Sequence, residues 1–305
     1  MTLSIVIPSR DDTPECIATA QSARATAPEA EIVIVDDASR APVPSNIGTQ
    51  VIRMERRIGV GPARTVGALR SGGAYVLFVD SHCRFMPGWY ENALKTIVGR
   101  EKTVHCASCL GLAPGEMDMS AAKGPYFGAT FNFYGQDKNK PNRRQVFESV
   151  WLPEQPGDDY ELPAVMGACY FWPREWFLRL NPLLFLRSYG VDEQAMSLKC
   201  WLAGGEIRMM KSVKIGHQFR KVGLQLGDAW HPLYNKLFAI RTILSPPHST
   251  ILESKIQKDG LFSVARREIF RDWHLVAVEQ DFNRSIFTKE FPWYINKFGI
   301  SFPEK

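Results

Sequence analysis

No apolar stretch in these 305 residues approaches the roughly 20 residues that a membrane-spanning helix requires. The N-terminus runs from a short strand into Arg10-Asp11-Asp12 and not into the apolar core of a signal peptide, so a soluble, cytoplasmic protein is expected. Cysteine is sparse and unpatterned: Cys16, Cys83, Cys106, Cys109, Cys169 and Cys200 show no framework spacing, which excludes a disulfide scaffold and fits a reducing compartment. Cys106-Ala-Ser-Cys109 has redox or zinc spacing, but no second pair accompanies it and its surroundings are apolar, so buried packing is expected. Pro8-Ser9-Arg10-Asp11-Asp12 lacks the Gly-x-Gly-x-x-Gly turn that a dinucleotide-binding oxidoreductase needs after its first strand. There is no internal repeat and no low-complexity linker. With 45% hydrophobic and 23% charged residues, the composition is that of a globular protein with a substantial core.

What is present is an alternation of buried strands and covering helices. Apolar runs at 3–7, 32–35, 50–54 and 75–79 predict strands buried on both faces, and 14–26, 61–71 and 88–98 predict helices over them. This is an α/β chain with a doubly wound, mostly parallel sheet. Residues 111–163 break the pattern, with one strand expected over 126–134 and a polar stretch over 135–144. Such a segment inside a compact enzyme is a functional loop or an acceptor-side insertion. Apolar periodicity returns at 165–172, a helix is expected at 192–203, and paired short strands near 206–216. Beyond Arg220 the pattern is mainly helical.

The chemistry begins at Asp80-Ser81-His82, at the end of the apolar run Ala74-Tyr75-Val76-Leu77-Phe78-Val79. A carboxylate and an imidazole two residues apart at the carboxyl end of a strand point the same way and form half a shell for a divalent metal. Open α/β sheets bind ligands just outside those strand ends. Around this triplet stand Leu3-Ser4-Ile5-Val6-Ile7-Pro8, Glu31-Ile32-Val33-Ile34-Val35-Asp36-Asp37, Arg56-Arg57-Ile58-Gly59 with Arg64 beyond, Gly88-Trp89, and far along Gly216-His217-Gln218-Phe219-Arg220.

In their order and spacing these blocks resemble the family-2 type of GT-A glycosyltransferases, in detail the catalytic domain of the polypeptide N-acetylgalactosaminyltransferases, over about residues 3–221. The resemblance implies a GT-A fold with a mixed sheet. Its catalytic domain would span residues 1–221, divided into a nucleotide-binding half (1–110) and a sugar and acceptor half (111–221), followed by a mainly helical C-terminal extension (222–305). It further implies Mn2+ or Mg2+ bound by Asp80, His82 and His217, and a UDP-sugar donor whose diphosphate Arg220 contacts. A mixed oxygen and imidazole set suits manganese better than calcium. Asp37 matches the carboxylate that accepts from the uracil edge, although a turn cap is chemically compatible. Arg57 should lie against base or phosphate, with Ser81 beside the metal ligands. For Arg56 and Arg64 the same role and plain surface charge both stay open. Pro8 stands where similar enzymes carry a hydroxyl that touches the base, a bond proline cannot donate.

At the sugar end, Met166-Gly167-Ala168-Cys169 resembles the small-residue turn beneath the donor sugar, so Gly167 and Ala168 join the binding set. Tyr189-Gly190-Val191-Asp192-Glu193 matches the family's aromatic-Gly-Gly-Glu-Asn segment, with Asp192 where a glutamate and Glu193 where an asparagine would be. The adjacent acids are similar to the pair of inverting enzymes, one member of which acts as general base, whereas the transferases resembled here are retaining and use none. Two acids opening a helix are also favourable in themselves. Asp192 and Glu193 are therefore the catalytic candidates, with the sugar (GalNAc, GlcNAc, Gal or Glc) left open.

The expected acceptor is a hydroxyl on a polypeptide or glycan. Two alternatives stand: transfer to hydroxymethylated DNA bases, for which basic clusters and Trp230, Trp273 and Trp293 could serve, and a catalytically silent sugar-nucleotide binder. Tryptophans at helical spacing are also common core residues.

Overall fold

The computed structural model describes residues 2–137, 140–166, 168–219 and 229–304. Its first part alternates: β1 (Leu3–Ser9), α1 (Thr13–Thr26), β2 (Glu31–Asp36), β3 (Gln50–Arg53), α2 (Val60–Arg70), β4 (Tyr75–Val79), β5 (Cys83–Phe85), α3 (Trp89–Ile97) and β6 (Thr103–Leu112). Short strands follow, β7 (Lys123–Tyr126), β8 (Ala129–Asn132), β9 (Gly135–Asp137), β10 (Lys140–Gln145) and β11 (Glu148–Trp151). Then come β12 (Cys169–Pro173), α4 (Arg174–Leu180), α5 (Asp192–Leu202) and β13 (Glu206–Gln218). Five helices end the chain: α6 (His231–Ile243), α7 (His248–Ile256), α8 (Phe262–Arg271), α9 (Trp273–Ile286) and α10 (Phe291–Phe298).

The main sheet has the order β3-β2-β1-β4-β12-β6-β13-β5, with β7 added on β6. Strands β3, β2, β1 and β4 are parallel, β12 runs antiparallel between β4 and β6, and β13 is parallel to β6. The α/β class and the mixed sheet are as the sequence predicts. Alternation along β1 splits the core: Ile5 and Ile7 join Leu77, Val79 and Phe171 on one face, while Val6 joins Val76, Phe78 and Trp172 on the other.

Two local expectations differ. The paired short strands near 206–216 are one strand, β13, which runs along β6 on both sides of a register shift between Met210 and Lys214. The single strand over 126–134 is broken, since Gly128 takes a positive φ of 65° between β7 and β8.

The C-terminal helices share the second core cluster through Tyr234, Leu237, Ile269, Val276 and Tyr294. Lys199 of α5 forms a buried ion pair with Glu279 of α9, and the Tyr294 hydroxyl donates to the Pro163 carbonyl at 2.9 Å. All six cysteines are buried and free, Cys106 and Cys109 included. Among the described residues, no helix is long and apolar enough to cross a membrane.

Strands β1, β4 and β13 run the same way, so their carboxyl ends open at one edge of the sheet. At that edge β5 pairs antiparallel with β13 and sets His217 opposite Cys83, while the Gln218 amide donates to the His82 carbonyl at 3.1 Å. A one-residue slip in this register would turn His217 to the other face.

Candidate metal centre and its surroundings

Asp80 follows the last residue of β4, and its amide donates to the Ala168 carbonyl at 3.2 Å. The turn that follows is stapled by Thr19 of α1, whose hydroxyl donates to the Ser81 carbonyl and accepts from the Cys83 amide, both at 2.9 Å. So held, Asp80, His82 and His217 each offer one ligand atom, and these atoms lie within 4.8 Å of one another. The two imidazole rings are 4.8 Å apart between centroids, and His217 Nε2 is 3.4 Å from Asp80 Oδ2.

This donor set fits a divalent transition metal on two structural grounds. Neither buried ring nitrogen of His217 has a hydrogen-bond partner in the protein, a costly arrangement that a coordinated cation would relieve. His82 Nδ1 lies 2.9 Å from Asp12 Oδ2, which also accepts from the Ser81 hydroxyl at 2.7 Å. A carboxylate on one imidazole nitrogen orients the ring and leaves the other nitrogen for a metal. Burial works to raise the Asp80 pKa, but His217 and Arg64 outweigh it and hold the carboxyl well below the usual range, as a ligand must be.

For Arg64, burial decides between the two readings. The residue is not surface charge but only 5% exposed, donating to Asp192 Oδ2 at 2.7 Å and to Asp80 Oδ1 at 3.0 Å, with its guanidinium 5.5 Å from the centre of the Tyr170 ring. The signal was available in the helical spacing of α2, where Gly61, Arg64, Thr65 and Ala68 share the buried stripe. Asp12 was also missed, and no local pattern marks it. Removing one partner of a buried pair strands the other, so Arg64→Ala should lower unfolding free energy by about 3–5 kcal/mol in denaturant melts.

The two acids beginning α5 have separated roles. Asp192 is buried against Arg64, and its pKa is raised by desolvation, which the guanidinium only partly offsets. Glu193 is partly exposed; burial first, and the neighbouring Asp192 charge second, push it up to about 7. Tyr189, 48% exposed, stands before them on the same loop.

On the nucleotide side, Asp37 accepts from the Ile58 amide at 2.6 Å and the Gly59 amide at 2.9 Å. It thus caps the entrance to α2, while Asp36 takes the Ser39 and Val43 amides. Each Asp37 oxygen keeps a further lone pair. Arg57 donates to the Ser188 hydroxyl at 2.5 Å and is half-buried, whereas Arg56 is exposed. Pro8 lies in β1 opposite Val35, beyond the last pair with β4, where its missing N–H costs no ladder bond. Gly167 and Arg220 lie outside the described residues. From His217 an aromatic run leads outward, through Phe219 at 4.6 Å and Tyr126 at 5.3 Å to Trp151 at 4.8 Å, each measured between successive ring centroids.

Residues 4–149 match the family model described as Glycosyl transferase family 2. The chain is 24% identical over 289 residues to human polypeptide N-acetylgalactosaminyltransferase 10, covering 90% of this chain and 45% of that protein. To human polypeptide N-acetylgalactosaminyltransferase 13 it is 23% identical over 285 residues, covering 87% and 48%. The chain therefore spans less than half the length of these relatives. Its fold matches the crystal structure of GalNAc-T7 with UDP, GalNAc and Mn2+ at a TM-score of 0.73 and 20% identity, over 98% of this chain and 56% of that one. The architecture is accordingly that of GT-A structures.

Proposed function

We propose, from the match of residues 4–149 to the family model described as Glycosyl transferase family 2, that the chain is a metal-dependent enzyme moving a sugar from a UDP-sugar to a hydroxyl of a macromolecular acceptor. The observation that carries this reading is the convergence of Asp80, His82 and His217 beside the buried Arg64–Asp192 pair. Bound there, Mn2+ or Mg2+ would neutralise the charge on the departing diphosphate.

The rest is done by the chain. Asp12 and Ser81 fix the His82 ring. Asp37 and Arg57, joined through the 58–59 backbone and Ser188, face the nucleotide, with Pro8 supplying only a buried wall. Arg64 holds Asp192 so that its free oxygen can accept from donor hydroxyls, and the small side chain of Ala168 suits a floor beneath a sugar ring, a place to which Gly167 is assigned from sequence alone. Arg220 is assigned to the diphosphate from sequence alone. Glu193, partly exposed and titrating near neutral pH, is the group suited to take the acceptor proton.

The relatives are polypeptide transferases, and the aromatic run from His217 to Trp151 offers an apolar platform beside the site; both favour a polypeptide acceptor. Trp230 and Trp293 pack against the core, and of the three tryptophans Trp273 alone is exposed, which weakens the DNA alternative. A silent binder would be expected to lose metal ligands, and all three are here.

The test is a panel of UDP-sugars hydrolysed with Mn2+, followed by mass spectrometry of Ser/Thr peptides, glycans and hydroxymethylated DNA as acceptors. Mn2+-dependent hydrolysis and a mass increase of one sugar on a peptide are expected. Failure to bind or hydrolyse any UDP-sugar would reject the reading.

A further inference from the structure

We propose that Asn235, on the first helix of the C-terminal extension, is a positioning residue that clamps the loop carrying Tyr189 and the Asp192–Glu193 pair. The extension would then complete the site and not merely follow it.

The loop before α5 is held in a conformation that it would not adopt alone. Ser188, Gly190 and Val191 have φ of 53°, 96° and 73°, so three of four consecutive residues lie in the left-handed region. For Val191 this is a real outlier, because a β-branched side chain crowds the backbone there. Such conformations persist only where neighbouring contacts over-determine them. Val191 immediately precedes Asp192, and its dihedrals set the direction in which α5 launches both acids.

Asn235 supplies those contacts. It is wholly buried, yet its side chain makes four hydrogen bonds, all to this loop. Its Oδ1 accepts from the Arg187 amide at 2.7 Å, and its Nδ2 donates to the carbonyls of Arg187 at 2.7 Å, Gly190 at 2.9 Å and Tyr189 at 3.2 Å. Three carbonyls and one amide around one side chain also fix which way the amide group faces. A second anchor stands beside it: Arg187 donates to Asp272 at 2.5 Å and stacks over Tyr234, 4.1 Å from its ring centre.

The other side of the loop is pinned to the nucleotide half. The Val60 amide donates to the Ser188 carbonyl at 2.8 Å, and a Cβ on Gly59 would come within 2.5 Å of the Ser188 nitrogen, so only glycine permits the approach. The loop is thus gripped between the Asp37-capped turn at 58–60 and helix α6. Without Asn235, a buried patch of carbonyls would lose its donors and the turn would relax toward ordinary dihedrals. The acids would then shift relative to the metal ligands.

The consequence for turnover rests on the transferase reading above; the clamp itself does not. Asn235→Ala is expected to raise amide hydrogen exchange in a peptide covering 186–191, with the β1 and β4 peptides unchanged. With UDP-GalNAc hydrolysis as the assay, kcat should fall about 100-fold, as a displacement near 1 Å can produce. UDP binding with Mn2+ should stay within about threefold of wild type, because the metal ligands lie outside the loop, whereas a role confined to overall stability would lower binding and kcat alike. Unchanged exchange at 186–191, or UDP binding lost in step with kcat, would overturn the proposal. If Asn235→Ala does not fold, the shorter but hydrogen-bonding Asn235→Ser is read by the same measurements. Wild-type protein that hydrolyses no UDP-sugar would sink the transferase reading, while the exchange measurement still decides the clamp.

Discussion

Asp80→Ala and His217→Ala are each expected to abolish manganese-dependent UDP binding. Calorimetry with UDP and Mn2+ should show affinity lost by more than about 100-fold in either variant, since even loss of a group that only orients a ligand costs 10- to 100-fold. The two substitutions act through different parts of the structure. Asp80 removes the one carboxylate of the set and leaves Arg64 with a single acidic partner. His217→Ala leaves Asp80 and Arg64 paired and removes two ring nitrogens that have no hydrogen-bond partner in the protein. Stability should therefore fall further in Asp80→Ala than in His217→Ala, which loses only the 3.4 Å approach of Nε2 to Asp80 Oδ2, while binding is lost in both. Unchanged binding in the two variants would reject the metal site.

The second large effect is expected at Glu193. Glu193→Gln should lower transfer by about 10²- to 10⁴-fold, the usual contribution of a positioned base. In the wild type, the rate should rise with pH through about 7, as the proton leaves a carboxyl held up by burial and by the Asp192 charge. The same shift has a stability consequence of opposite sense. Unfolded, the carboxyl loses its proton near pH 4.3; folded, it keeps it to about 7. Between those values the folded state binds more protons, so the stability contribution declines as pH rises across that window. Glu193→Gln should accordingly melt higher than wild type at pH 8 and equally at pH 4. A variant that transfers sugar at the wild-type rate, with the acid limb in place, would remove Glu193 from the mechanism.

Much of the frame was legible in residue patterns, for physical reasons. Strands β1, β2 and β4 are buried on both faces, so their apolar runs are nearly uninterrupted and hard to mistake. Asp80 and His82 were legible together because a strand end and the turn after it are local. His217 was reached through a motif, and its approach to His82 is a product of the β5–β13 register. Arg64 was left undecided because charge suggests solvent, and only the packing of α2 against its neighbours decides which stripe is inside. Asn235 escaped notice altogether: in a helix that also carries Lys236 and Arg241, a single amide has no local meaning until the loop it faces is known.

The linear order of residues determined the element types, the sheet's parallel half and the chemical kinds of ligand available, since burial periodicity and side-chain chemistry are properties of short segments. The three-dimensional arrangement alone decided which carboxylate is paired with Arg64, which is partly exposed and titrates near neutrality, and what holds the strained loop. Those outcomes depend on desolvation and on contacts between segments far apart in the chain, and neither is written in any one stretch of it.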